Sequence, residues 1–329
     1  RCFNCDRLSF CMAFVIVVVT SLISATAATP SQAQQPSAPA NAENKNDQKP
    51  AEPADGSVQG AVPADHYDPD DNKTFPDVRT ENSAVTIQGH QFIVHMYRPK
   101  KDGPATPAIY ACGDGGWRGL APRTAQQLAH IGFAVAGIDS KIYLREFSSP
   151  TSPLTIKQLA SDYSVIAASL RDYAQAPAQT PVYVYGWSLG AGFAIAVGTD
   201  QTTRSNWAGI VSIGLPKQNQ LVSGLGANHA NLKAEVNSLY GFRSQDLIGW
   251  IAPLPLVMIQ STSDTASPPK VGQALYAAAR DPKLFVLIKA SNHRFSGARD
   301  EFYTALSNAE SWIRSSETGV STVRFKDTK

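Results

Sequence analysis

Between residues 80 and 315 the apolar positions keep switching period. Some short runs are apolar at nearly every position. Phe133-Ala134-Val135-Ala136-Gly137-Ile138 is one, and it reads as a strand buried on both faces. Other stretches repeat apolar residues every three or four positions. Leu159, Tyr163, Ile166 and Leu170 read as one face of a helix over residues 156–173. In chain order the pattern predicts a hairpin from strands 84–88 and 92–97 around Gly89, then a strand at 107–112. A helix at 121–130, a strand at 133–139 and the helix at 156–173 follow. Next come a strand at 182–187, a helix of small residues at 191–197 and strands at 208–213 and 254–259. The pattern closes with a helix at 271–279, a strand at 284–288 and a helix at 301–313. Such alternation predicts an α/β fold, with a mostly parallel central sheet and helices on both faces. Residues 216–250 break the alternation and are expected as a lid insertion in a domain spanning 79–315, with a flexible tail over 316–329.

Upstream of the domain the pattern changes. Arg1 and Arg7 precede an almost unbroken apolar run over residues 10–23, and Ser31-Gln32-Ala33 is a small-x-small cleavage signal. The run is short and is diluted by Thr20, Ser21, Ser24 and Thr26. It therefore predicts a cleaved export signal over 1–33 rather than a retained anchor, and a periplasmic or secreted location. Residues 34–78 are rich in Pro, Ala, Gln, Asn and Asp. They cannot bury enough surface to offset chain entropy, so a disordered linker is expected.

Composition sharpens this division. The chain of 329 residues has a formal charge of only +2, which by itself argues against nucleic-acid binding. Residues 34–75 hold eight acidic residues against three lysines, a net −5, and residues 1–33 hold +1. Residues 76–329 therefore carry +6. Cys2, Cys5 and Cys11 all lie in the signal segment. Once that segment is removed, Cys112 remains alone and no intrachain disulfide can form.

Gly186-Trp187-Ser188-Leu189-Gly190 follows an apolar strand and opens a small-residue helix. That is the strand–turn–helix context in which Gly-x-Ser-x-Gly strains a serine and lifts its oxygen above a sheet. Ser188 is the candidate nucleophile. A serine hydroxyl needs a base. His293, in the loop after the last predicted strand, is placed to serve, whereas His66, His90, His95, His130 and His229 fall elsewhere. The base needs an acid to hold its tautomer, and Asp264 follows strand 254–259. Asp246 and Asp281 are less well placed. The order Ser188, Asp264, His293 is the one α/β-hydrolases use. An oxyanion hole needs backbone N–H donors. Leu189 would supply one, and Asp114 or Gly115 in the turn Gly113-Asp114-Gly115-Gly116-Trp117 the other. Nothing in these motifs asks for a metal or an organic cofactor.

Three runs carry a resemblance. They are Gly113-Asp114-Gly115-Gly116-Trp117-Arg118, Ala136-Gly137-Ile138-Asp139-Ser140 and Gly186-Trp187-Ser188-Leu189-Gly190-Ala191. Together they resemble the AcvB/VirJ family of exported bacterial α/β-hydrolases. The chain departs from the family pattern at Leu189, where an aromatic residue is expected, and at Gly192, where an acid is expected. The resemblance implies an α/β-hydrolase fold with Ser188, Asp264 and His293 as its triad. It also implies hydrolysis of lysyl-phosphatidylglycerol, whose head group carries an aminoacyl ester. A +6 domain would be drawn peripherally to an anionic phospholipid surface, each nearby basic residue adding up to ~1 kcal/mol. Asp114, Trp117 and Trp187 are then candidates for substrate contact, with Asp114 facing the lysyl amine. Two other readings stand beside this one. The first is a general carboxylesterase, similar to dienelactone hydrolases, acting on small soluble esters. The second is a non-catalytic periplasmic helper of the VirJ type, in virulence or secretion.

Overall fold

The computed structural model describes residues 73–223 and 240–317. The expected signal segment, most of the expected linker, His229 and the chain beyond residue 317 lie outside the described residues.

The domain opens with a hairpin of β1 (Val78–Ile87) and β2 (His90–Pro99), turning at Gln88 and Gly89. Then follow β3 (Thr106–Ala111), α1 (Leu120–His130), β4 (Phe133–Ile138), α2 (Ser140–Phe147) and α3 (Ile156–Tyr173). Next are β5 (Val182–Trp187), α4 (Leu189–Thr199) and β6 (Trp207–Ile213). A short antiparallel ribbon of β7 (Gln218–Gln220) and β8 (Gly241–Arg243) leads into α5 (Ser244–Leu247). The chain then continues through β9 (Leu256–Ser261), α6 (Pro269–Ala278), β10 (Lys283–Ile288) and α7 (Arg299–Glu317).

Eight strands form one sheet in the order β1-β2-β4-β3-β5-β6-β9-β10. From β4 to β10 every neighbouring pair is parallel. The hairpin adds two antiparallel strands at one edge. Strand order reverses beside β3, because β4 lies on one side of it and β5 on the other. In open α/β sheets the crevice at such a switch point, beyond the carboxyl ends of the strands, is where ligands bind.

Side chains of the central strands alternate between two apolar layers. Ile109 and Ala111 of β3 and Val182 and Val184 of β5 face α3 and α4. Tyr110 and Cys112, with Tyr183, Tyr185 and Trp187, face α1 and α7. Both faces are covered, so these strands are apolar at nearly every position. Helix α4 is apolar around its whole circumference and is buried from Leu189 to Gly198. Its small residues let it lie close against the sheet.

The structure departs from the sequence expectations in four places. Strand β1 begins at Val78 rather than at residue 84, and its polar, mostly exposed stretch through Ser83 hides the strand period. Residues 73–78, expected as linker, pack on the domain instead. Phe75 is buried beside the His130 ring, and Asp77 accepts a hydrogen bond from His130 at 2.7 Å. His130 therefore pairs with Asp77 rather than serving only its own helix end. Helix α2 was not expected. Asp139 ends the strand-like run, yet its carboxylate caps α2 by accepting from the Lys141 and Ile142 N–H groups. Helix α7 runs to Glu317, beyond the expected start of the tail. The break in alternation over 216–250 coincides with the β7–β8 ribbon and α5, and residues 224–239 of it lie outside the described residues.

Helix α3 begins with a reciprocal capping box. Thr155 Oγ1 accepts from the Gln158 N–H at 3.1 Å, and Gln158 Oε1 accepts from the Thr155 N–H at 3.0 Å. Thr155→Ala should lower unfolding stability by about 1 kcal/mol. Urea titration should show a lower midpoint at an unchanged m-value.

Candidate active site

Ser188 sits between β5 and α4 with φ 55° and ψ −117°, a conformation residues with a side chain rarely adopt. Strain of that kind costs about 1–3 kcal/mol and needs surroundings that enforce it. Here the Ser188 N–H donates to Ile213 O at 2.9 Å, and the Gly190 N–H donates to Cys112 O at 3.0 Å. Gly186 and Gly190 leave no room for alternatives. A side chain on Gly186 would run into the Gly190 backbone, and one on Gly190 would run into the carbonyls of Ala111 and Cys112. The elbow motif is thus a close-packing requirement among β5, α4 and β3.

The candidate acid and base come together. His293 Nδ1 lies 2.6 Å from Asp264 Oδ2, although 29 residues separate them in sequence. Asp264 is buried, and its carboxylate is held on both oxygens. Oδ1 accepts from the Ser267 N–H at 2.7 Å, and Oδ2 also accepts from Gln260 Nε2 at 2.9 Å. An ionised Asp264 assigns the proton to Nδ1 and leaves Nε2 as the acceptor. That Nε2 is buried and has no hydrogen-bond partner among the described residues. Ser188 Oγ and His293 Nε2 make no mutual hydrogen bond, a contact that catalytic pairs often close only with substrate bound.

Two supporting residues escaped the sequence reading. Gly214, at the end of β6, has φ +57°, and a Cβ there would lie 2.7 Å from His293 Cε1. It leaves space for the imidazole. Gln260, inside β9, bonds both Asp264 and the Ser267 carbonyl, the latter at 2.6 Å. A glycine directly after a strand and a buried glutamine within one were the available signals.

The candidate oxyanion donors flank Ser188. Leu189 is the first residue of α4, where the backbone N–H groups and the helix dipole favour negative charge. Gly113 starts the other turn, and a Cβ on it would lie 3.2 Å from Ser188 Cβ. The turn closes with the Gly116 N–H donating to Gly113 O at 3.2 Å, which leaves Asp114 and Gly115 exposed at its tip.

Neither tryptophan expected to contact substrate is free to do so through its indole N–H. Trp117 Nε1 donates to Tyr97 Oη at 3.1 Å, and its ring stacks on His95 at 4.7 Å. Trp187 is 8% exposed, and its Nε1 donates to the His293 carbonyl at 3.2 Å. It braces the histidine loop from below. Asp246 pairs with Arg243 at 2.8 Å, away from His293. Asn219 of β7 reaches over the first turn of α4, where a side chain on Gly192 would run into its amide. Asn219 Nδ2 is held by Ser244 Oγ at 2.8 Å. This contact requires glycine at 192. Among the described residues no group of three His, Cys, Asp or Glu could hold a metal ion.

The sheet order and the helices on both of its faces are those of an α/β-hydrolase fold. Residues 106–225 match the family model of the bacterial virulence protein VirJ, so the resemblance read from the motifs holds over that segment. It includes the turn at 113–117 and Ser188 but ends before Asp264 and His293. No curated protein matches the chain significantly. Among solved structures it is similar to dienelactone hydrolase from Anabaena variabilis ATCC 29413. Identity is 16%, covering 72% of this chain and 98% of the other, with a TM-score of 0.51. Est1E from Butyrivibrio proteoclasticus gives 14% identity over 71% and 99% of the two chains, with a TM-score of 0.52. The esterase domain of a Rhodothermus marinus protein gives 16% over 72% and 98%, with a TM-score of 0.50. These likenesses show a shared fold.

Cys112, beside the turn, is fully buried, and burial pushes its thiol up to about 12. A thiol held protonated is a poor nucleophile. Iodoacetamide at pH 8 should leave Cys112 unmodified in native protein and alkylate it in urea, as read by mass-spectrometric mapping of its peptide.

Proposed function

We propose that this protein is a serine hydrolase that cleaves carboxylic esters through an acyl-enzyme. The observation that carries this reading is the His293–Asp264 pair, with Nδ1 bound at 2.6 Å and the buried Nε2 left without a partner among the described residues, beside the strained Ser188 elbow. In this mechanism His293 Nε2 takes the Ser188 proton as Oγ attacks the carbonyl carbon. Asp264 stabilises the imidazolium. The N–H groups of Leu189 and of Asp114 or Gly115 receive the developing oxyanion. The tetrahedral intermediate collapses, and His293 protonates the departing alkoxide. Water then enters by the same route, frees the acid and restores Ser188.

The substrate we favour is the aminoacyl ester of lysyl-phosphatidylglycerol or a related aminoacylated phospholipid. Phosphatidylglycerol would leave first, and a lysyl acyl-enzyme would then be hydrolysed. The VirJ match over 106–225 and the +6 charge of residues 76–329 support this reading. Peripheral contact with an anionic membrane and export to the periplasm or beyond belong to it. Asp114 is exposed at the tip of the turn whose Gly113 lies against Ser188, and in this reading its carboxylate faces the lysyl amine. A second reading, a small soluble ester, is favoured by the fold shared with a dienelactone hydrolase and with esterases. A non-catalytic VirJ-type helper would have no use for a buried, fully hydrogen-bonded Asp264.

A fluorophosphonate probe should label wild-type protein and leave Ser188→Ala unlabelled. Labelling that survives this substitution removes Ser188 as the nucleophile. Asp264→Asn should lower kcat by about 10⁴-fold, as expected when the base loses the partner that sets its tautomer. Incubation with lysyl-phosphatidylglycerol vesicles should release free lysine. Rapid turnover of short p-nitrophenyl esters with the lipid untouched would assign the enzyme to small soluble esters.

A further inference from the structure

The run Ala136-Gly137-Ile138-Asp139-Ser140 has no role in the mechanism above, yet it lies directly beside the proposed oxyanion turn. Asp139 Oδ2 accepts the Trp117 N–H at 3.0 Å, at the exit of the turn. Ser140 Oγ donates to the Cys112 carbonyl at 2.7 Å, at its entrance. The other Asp139 oxygen accepts from the Lys141 and Ile142 N–H groups at 3.0 and 3.1 Å. Two consecutive side chains from the end of β4 therefore grip both ends of a turn that belongs to β3. Gly116, inside the turn, has φ +82°, and a Cβ on it would lie 3.3 Å from Asp139 Oδ2.

The turn is also wedged from the far side. The Trp117 ring fills the space above Gly137, where any side chain would run into it. Burial lowers the pKa of His95, so at neutral pH an uncharged ring stacks on that indole. Trp117 can neither rotate nor slide, and its N–H points at Asp139.

We infer that Asp139 and Ser140 form a positioning clamp that aims the backbone N–H groups of residues 114 and 115 at the oxyanion formed over Ser188. The inference rests on the serine-esterase reading. A carboxylate near a developing anion is ordinarily unfavourable. Here three backbone N–H donors and the N-terminal end of α2 offset the Asp139 charge. The clamp touches neither substrate nor His293. It acts through the direction of the N–H groups, which matters most when charge has developed.

The test uses full-length wild type, Asp139→Asn and Ser140→Ala, with p-nitrophenyl butyrate as substrate and phenylboronic acid as the tetrahedral anion mimic. Active sites are counted by fluorophosphonate stoichiometry, so that misfolded protein does not enter kcat. Asparagine is also a good helix cap, so Asp139→Asn keeps α2 while presenting an amide to the Trp117 N–H. Per active site, kcat should fall about 10- to 100-fold with KM within about threefold, less than the full loss of an oxyanion donor. The boronate Ki should rise by the factor that kcat/KM falls, and the acidic limb of the pH–rate profile should not move. Ser140→Ala should follow the same pattern at about three- to tenfold, and it decides the matter alone if Asp139→Asn does not fold. Unchanged kcat and boronate Ki in an active enzyme overturn the clamp and leave the esterase reading standing. A lower kcat with a shifted acidic limb and unchanged boronate Ki also overturns it, because the effect then runs through His293. A wild type that hydrolyses no ester and takes no label overturns the esterase reading, and the clamp with it.

Discussion

The Cys112 carbonyl oxygen accepts two hydrogen bonds, one from the Gly190 N–H at 3.0 Å and one from the Ser140 hydroxyl at 2.7 Å. Three segments meet there: the end of β3, the first turn of α4, and the link from β4 into α2. Each carries a different part of the proposed chemistry. β3 leads into the oxyanion turn, α4 opens beside the nucleophile, and the β4–α2 link holds the clamp. A displaced Cys112 carbonyl would unseat all three. Gly190 allows the contact because a Cβ there would lie 2.2 Å from the Ala111 carbonyl oxygen and 2.7 Å from that of Cys112. The strain at Ser188 follows from this close approach. The chain must leave β5, turn and start α4 within the space that the Cys112 carbonyl leaves open.

Acid and base are held by a second arrangement on neighbouring strands. Gly214 clears space beside His293, Gln260 and the Ser267 N–H fix Asp264, and Trp187 ties the histidine loop to the residue before the nucleophile. Trp187 is thus where the two halves of the site meet. It adjoins Ser188 in sequence and touches His293 in space, with ring centroids 5.3 Å apart. The distance between base and nucleophile is therefore set by packed side chains on adjacent strands as much as by loop conformation.

Much of this was legible in the sequence. The central strands announced themselves because both faces are covered, leaving no polar alternation to confuse the reading. The elbow glycines were legible because their spacing encodes a steric need. Asp264 and His293 were placed from strand order alone. Other features stayed hidden for physical reasons. β1 is an edge strand whose exposed residues carry no apolar period. α2 was masked because Asp139 ends one element and caps the next. Gln260 looks like an exception within an apolar strand until its two acceptors are seen. The indole N–H groups of Trp117 and Trp187 go to Tyr97 and to the His293 carbonyl, partners far away in sequence that no local pattern announces.

The VirJ match helps to separate what is shared from what is particular. It covers β3 through β7, and so takes in the proposed nucleophile, the proposed oxyanion turn and the proposed clamp. Within that segment Gly192 stands on the first turn of α4. The Asn219 amide from the β7–β8 ribbon lies where a side chain would go. A Cβ at 192 would lie 1.9 Å from Asn219 Oδ1, so the arrangement admits only glycine there. The Asn219 side chain therefore packs against Gly192 of α4, and its amide is fixed from the far side by Ser244. In the proposed enzyme, the β7–β8 ribbon thus bears on the helix that opens at Ser188, and a side chain at 192 would push it away.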